Sequence, residues 1–341
     1  NISIKLYFSF LLFLLIYFPN TSVAQIKILF DCKKAETVAN ADWIIDADQF
    51  NLGNSPSGIM VTGNGSEANP QSVPTPSQSG INSNTSEGFW KGGISAWGVQ
   101  MAKLGYIVET LPNNGTISYG NANNAQDLSN YKVYVVVEPN ILFTASEKTA
   151  IINFVRNGGG LFMISDHSQS DRNFDGFDSP MIWNDFMSNN SVQNNAFGLQ
   201  FNYDNFSQTT SNVPNFPSDS ITNGPMGQVT RMKFSGGTTM TLSSSVNPSI
   251  NGVIFRAGSA IGDTGVMMCY GRFGRGKFVG LGDSSPADDG TGDLNDVLYD
   301  GWAAEVNGDH GKVITNATIW LAATDNITGF NKFSNENNFY W

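Results

Sequence analysis

The chain has 341 residues, a hydrophobic fraction of 40% and a formal net charge of −11. That is enough apolar material for a sizeable core, while the acidic balance, with only 18 scattered Lys and Arg, excludes an electrostatic grip on nucleic acid or an anionic membrane surface. Two cysteines, Cys32 and Cys269, exclude a disulfide framework and leave one bridge as an open question.

Lys5, the apolar run from Leu6 to Phe18 and the small residues Ser22-Val23-Ala24 form the charged, apolar and cleavage regions of a signal peptide over 1–24. The apolar run is shorter than the roughly 20 residues of a spanning helix, so a secreted chain (extracellular or periplasmic) with no stable membrane span is expected. The remainder, 25–341, reads as one α/β domain. Ile26 to Phe30 is a short apolar strand ending at Asp31, and the Gly-, Asn-, Ser- and Pro-rich stretch 51–88 is a loop without a period. Trp90, Ile94, Trp97, Met101 and Leu104 share one face of a helix over about 88–106, and Tyr106 to Thr110 is a second strand. Val133 to Val137 is a strand buried on both faces, broken by Glu138-Pro139-Asn140. Thr144-Ala145-Ser146-Glu147 is a capping box opening a helix that Gly158 to Gly160 close, before a buried strand from Leu161 to Ser165. Strand, helix and strand in this order predict a parallel crossover.

Between about 189 and 250 the sequence is Asn- and Ser-rich, which predicts an irregular or small antiparallel insertion. Strands follow at Gly252 to Arg256, Val266 to Tyr270 and Lys277 to Leu281, the last two joined as a hairpin through Gly271 to Gly274, and then helices near Leu294 to Val306 and Val313 to Ala323. Trp90, Trp97 and Trp320 lie on apolar helix faces and read as core. Sequons occur at Asn84, Asn114 and Asn316.

In a parallel sheet, Asp31, Glu138, the pair Asp166-His167 and Asp283 would each lie just beyond the carboxyl end of a different strand, the edge where open α/β sheets bind ligands. His167 is a candidate base or metal ligand, and His310, ahead of the last helix, is a candidate to reach the same rim. Asp171, Asn173 and Asp175, followed by Gly176, match the start of a calcium loop, although Ile182 stands where such a loop places a bidentate Glu. The expected catalytic set is Glu138, Asp166, His167 and His310. The expected ligands of a divalent cation, calcium or zinc, are Asp31, Asp166, His167, Asp171, Asn173, Asp175 and Asp283. Ser165 or Ser284 as a nucleophile is a weaker alternative.

The order of these segments, with "LGYIVETLP", "LSNYKVYVVVEPN", "FTASEKTAIINFVRNGGGLFMISDH", "GRGKFVGLGDSSP" and "NATIWLA", resembles the class I glutamine amidotransferase-like superfamily, in its secreted branch without the catalytic Cys. The resemblance implies a flavodoxin-like open, mostly parallel sheet with helices on both faces. In catalytic members a Cys occupies the elbow that here reads Ser165-Asp166-His167-Ser168, so glutamine amidotransferase chemistry is not expected. The expected function is a metal-assisted hydrolase acting on an extracellular glycan or small ester; the alternative is a calcium-stabilised binding or scaffold module without catalysis.

Overall fold

The computed structural model describes residues 25–38, 41–46, 76–291 and 299–324. The expected signal peptide at 1–24 and most of the polar loop, 51–75, lie outside the described residues. The central sheet has nine strands: β1 (Lys27–Asp31), β2 (Ile107–Leu111), β3 (Val133–Val137), β4 (Gly160–Ile164), β5 (Leu199–Phe201), β6 (Met240–Leu242), β7 (Asn251–Phe255), β8 (Val266–Phe273) and β9 (Gly276–Leu281). Their order is β2-β1-β3-β4-β9-β8-β6-β5, with β7 also paired to β8. The five strands from β2 to β9 are mutually parallel, and the pairings beyond β9 are antiparallel. This is the flavodoxin-like order, in which the chain runs outward from β1 to β2 and then returns past β1 to β3. The reversal leaves a crevice at the carboxyl ends of β1 and β3.

Helices cover both faces. α1 (Ser95–Lys103) and α4 (His310–Ala322) close one side, where Phe30, Trp97, Phe162, Ile314 and Trp320 belong to one apolar cluster. α2 (Ala145–Arg156) and α3 (Ser179–Ser188) close the other, with Ile152, Met163, Trp183 and Phe186. β3 and β4 are buried along their whole length because apolar layers lie above and below them, which explains their unbroken Val and Phe/Met runs. Trp97 stands edge-on between Phe30 and Phe162, at ring distances of 5.2 and 5.0 Å. Trp90, Trp97 and Trp320 are all core, as expected, although Trp90 precedes α1 instead of lying on its apolar face.

The capping box of α2 forms as read: Thr144 Oγ accepts from Glu147 N, and Glu147 returns the bond to Thr144 N at 2.8 Å. Two helices depart from expectation. α1 begins at Ser95 rather than near 88, because its first turn is capped from a distance: Asp289 Oδ2 accepts from Ala96 N and from Ser95 Oγ. The helix expected near Leu294 to Val306 does not form over its described part, 299–306, where Asp300 instead accepts from Ala303 N and Ala304 N in a tight turn. The region 189–250 is antiparallel and small, as expected. It supplies β5 and β6 to the sheet and a two-stranded ribbon, Phe206–Thr210 against Met232–Gly237, whose register shifts between Ser235 and Gly237. Cys32 and Cys269 are buried apart and form no disulfide with each other. Asn316 is buried inside α4 and donates to Ile221 O, so that sequon is structural.

Candidate functional site

Register builds the site. Val137, Ile164 and Leu281 lie abreast at the ends of β3, β4 and β9, so the residues that follow emerge at one level. Those residues are Glu138, Ser165-Asp166 and Gly282-Asp283, all buried. Glu138 turns away from its strand with φ of 44°, a left-handed conformation that costs a side-chain-bearing residue roughly 1 kcal/mol or more and is retained where surroundings over-determine it. Here its N–H donates to Ile164 O and its carbonyl accepts from Glu36 N at 2.8 Å, in the crevice beside β1.

Glu36 is the residue that the sequence concealed. It lies in the loop after β1, and its backbone bond to Glu138 brings its buried carboxyl to the same place. The carboxyl of Glu138 is within hydrogen-bonding reach of both Glu36 and Asp166. Trp43 Nε1 donates to Glu138 Oε2 at 2.6 Å, while Glu138 Oε1 and Asp166 Oδ1 are buried and receive no bond from a fixed donor. Arg172 Nε pairs with Glu36.

Burial, followed by the charges of Glu138 and Asp283, holds the Asp166 carboxyl well above the usual range; burial and the charge of Glu138 do the same for Glu36. Asp283 is pushed up to about 7, chiefly by burial, against the pull of backbone bonds from Ser285 and Ser235. Carboxylates so close in a dry interior cannot all be ionised, so hydrogen bonds between them require shared protons.

His167 is the imidazole of this group. Its Nε2 is 4.0 Å from Asp166 Oδ2, and its ring is partly open to solvent. Its Nδ1 is 2.6 Å from Ser168 O, which assigns the proton to Nδ1 and leaves Nε2 with a lone pair; the Asn205 amide lies 3.0 Å from the same Nδ1. The ribbon closes over this arrangement. Gly236, at φ +84°, lies so near that a Cβ there would be 3.1 Å from His167 Cδ2, and its neighbour Ser235 holds Asp283. The insertion, unremarkable as sequence, thus contacts two of the site residues.

Other expected residues go elsewhere. Asp31 is the last residue of β1 rather than the first beyond it, so it shares a face with Leu29 and accepts from Tyr134 Oη, Lys34 N and Ala35 N. Burial raises its carboxyl too, but the charges acting on Asp166 come from Glu138, Asp283 and Glu36. His310 is buried at the start of α4, with Nδ1 at 2.8 Å from Gly301 O and Nε2 accepting from Lys233 N; burial pushes it toward the neutral form. Both ring nitrogens are thereby used in holding structure.

Asp171, Asn173 and Asp175 spend their oxygens on their own loop: Asp171 accepts from Gly176 N, Asn173 from Asp175 N and Asp175 from Phe177 N. Asn173 Nδ2 also donates to Asn140 O, tying the loop to the end of β3. Among the described residues, no three His, Cys, Asp or Glu side chains are placed to hold a metal ion together. Ser165 bonds to Ser179 Oγ and the Asp166 carbonyl, and Ser284 is buried after β9.

No protein-family model matches the chain, and no curated protein does. Among solved structures it is similar to the mmIFT52 N-terminal domain, at 14% identity over 66% of this chain and 89% of that one, with a TM-score of 0.43. It is also similar to the cytoplasmic protein STM3548 from Salmonella typhimurium, at 14% identity, 76% and 88% coverage and a TM-score of 0.39. The β-galactosidase Gan42B matches over 51% of this chain and 20% of its own, at 15% identity and a TM-score of 0.28.

Proposed function

We propose that this protein is a hydrolase of acyl bonds, carboxylic esters above all, working outside the cell membrane with His167 as general base and Asp166 as its carboxyl partner. The observation that carries the reading is the combination of a part-exposed imidazole with a buried carboxyl group, Asp166, 4.0 Å from its Nε2. His167 Nε2 takes a proton from water, and the water oxygen bonds to the ester carbonyl carbon. The tetrahedral adduct then collapses by breaking its bond to the alkoxide, which recovers the proton from the imidazolium. Asp166 stabilises the transient imidazolium in its ionised form, its proton then being held by Glu138 or Glu36. Cleavage of a glycosidic bond fits less well, because its two carboxyls stand roughly 5 to 9.5 Å apart on either side of the sugar. Here Glu138 and Asp166 are within hydrogen-bonding reach of each other. Kinship with the class I glutamine amidotransferase-like superfamily remains part of this proposal, supported by the order of elements and by Asp166-His167 at the elbow.

A panel of chromogenic acyl esters and glycosides tests the reading. Ester hydrolysis is expected, with His167→Ala slower by about 10²- to 10⁴-fold and His310→Ala acting through stability alone. Ester turnover unchanged in His167→Ala, or absent across the panel, would contradict it.

A second reading replaces the shared protons with a divalent cation, calcium or zinc. It is favoured by the buried Glu138 Oε1 and Asp166 Oδ1, which no fixed donor reaches, and opposed by the placement of the surrounding side chains. Dialysis against a chelator separates the two. The proton reading expects unchanged melting temperature and turnover; loss of either, restored by calcium or zinc, establishes the cation.

A further inference from the structure

The flank of the sheet away from the site is closed by side chains. Among the described residues β2 pairs with β1 alone, which makes it an edge strand. Ile107 N donates to Ile26 O and Leu111 O accepts from Cys32 N, so the odd-numbered residues of β2 turn their backbone groups toward β1. The backbone groups of Tyr106, Val108 and Thr110 therefore turn outward, where an edge strand presents a template for pairing with another chain.

Two glutamines take these groups. Gln78 Oε1 accepts from Val108 N at 2.7 Å and its Nε2 donates to Tyr106 O at 3.1 Å, the two groups that a parallel neighbour opposite Ile107 would take. Gln126 Nε2 donates to Thr110 O at 3.0 Å. A carboxamide suits this task because it carries a donor and an acceptor together. Both side chains come from anchored loops. Ser77 O accepts from Trp90 Nε1, and Gln78 O accepts from Ile81 N. Next to Gln126, the buried Asp127 carboxyl gathers bonds from Ser118 Oγ, Gly120 N, Asn121 N and Ser129 N. Asp127 has no part in the proposed chemistry; it fixes the loop that carries Gln126.

The outward groups also define one partner. Two β2 edges meeting antiparallel about a twofold axis at Val108 set Val108 against Val108 and Tyr106 against Thr110. The bonds of that register use Val108 N, Tyr106 O and Thr110 O, the groups that the glutamines hold. We infer that Gln78 and Gln126 are edge guards, whose side chains stand in for a further strand and keep β2 from pairing with the β2 of a second copy. The inference is independent of the hydrolase reading, since β1 and β3 separate β2 from the strands that carry Asp166 and Asp283.

Sedimentation velocity of the full protein at about 10 to 500 μM, joined to hydrogen exchange of single amides, tests it. The double variant Gln78→Ala, Gln126→Ala should associate as its concentration rises, while the unaltered protein keeps its sedimentation coefficient and each single variant associates less. In dilute double variant the Val108 amide should exchange about tenfold faster than in the unaltered protein, and in associated material it should be protected again. Gln78→Asn with Gln126→Asn, each a methylene short but still polar, gives the same comparison should the alanine pair fail to fold. A double variant that sediments as the unaltered protein does throughout this range, or that associates while Val108 continues to exchange rapidly, would overturn the inference.

Discussion

Asp166 is buried among like charges, and the cost of that arrangement depends on pH. An acid whose folded pKa lies above its unfolded value holds its proton longer in the folded chain, so the stability it contributes is complete below the unfolded pKa and is lost as pH rises through the folded one. For Asp283, raised from 3.8 to about 7, that window runs from about pH 4 to about pH 7, and the direction is the same for Asp166 and Glu36. The protein should therefore lose stability across this range, by an amount on the order of a few kcal/mol. Asp166→Asn removes one like charge without changing shape. It should raise the melting temperature more at pH 8 than at pH 5, while abolishing ester turnover, the trade expected where function is built from unfavourable burial. Calorimetry at the two pH values checks this, and an equal or falling melting temperature at pH 8 would argue that the cluster is not strained by charge.

The ribbon Phe206–Thr210 and Met232–Gly237 acts on the site as a unit, since its irregular turn meets both His167 and Asp283. Gly236→Ala places a methyl 3.1 Å from His167 Cδ2 on a backbone at φ +84°, which costs about 1 kcal/mol in stability and shifts the ring relative to Asp166. Turnover should fall more than the melting temperature would suggest, and the imidazole resonances of His167, in a chain with only two histidines, should move while those of His310 stay in place. Unmoved His167 resonances would show that the ribbon merely lies alongside. The sequence predicts a small antiparallel insertion here but not its contact with the site. Its residues are polar, its strands alternate weakly, and its role comes from pairing across the fold.

The same contrast runs through the other elements. The capping box at Thr144 and the buried runs of β3 and β4 were legible because their determinants lie within a few residues of one another. The start of α1 was not, since Asp289 caps it from the far end of the chain. Glu36 and Trp43 carry no local signal at all, and Arg172, between Asp171 and Asn173, carries none that points to Glu36.

The molecule brings these pieces together through a single geometric device, the level ends of three neighbouring parallel strands. The strand, helix and strand order predicted a parallel crossover and a shared edge for Glu138, Asp166 and Asp283, while the flavodoxin-like order came with the resemblance; the structure has both. Asp31 lies at the last position of β1 instead of just beyond it, and His310 opens α4 instead of preceding a helix that starts at Val313, differences finer than periodicity resolves. Both faces of the sheet are covered, so the cluster sits in a medium that strengthens every interaction among its charges. Proton sharing among Asp166, Glu138 and Glu36 is what the proposed function requires of this cluster.

Isotope-edited infrared spectroscopy of the purified protein near neutral pH reads that sharing directly, through the carbonyl stretch of protonated side-chain carboxyls. A protonated band that persists at about pH 7 and is lost or shifted in Glu138→Gln is the expected result. A spectrum in which every Asp and Glu is ionised at that pH, in protein that remains folded, would contradict it.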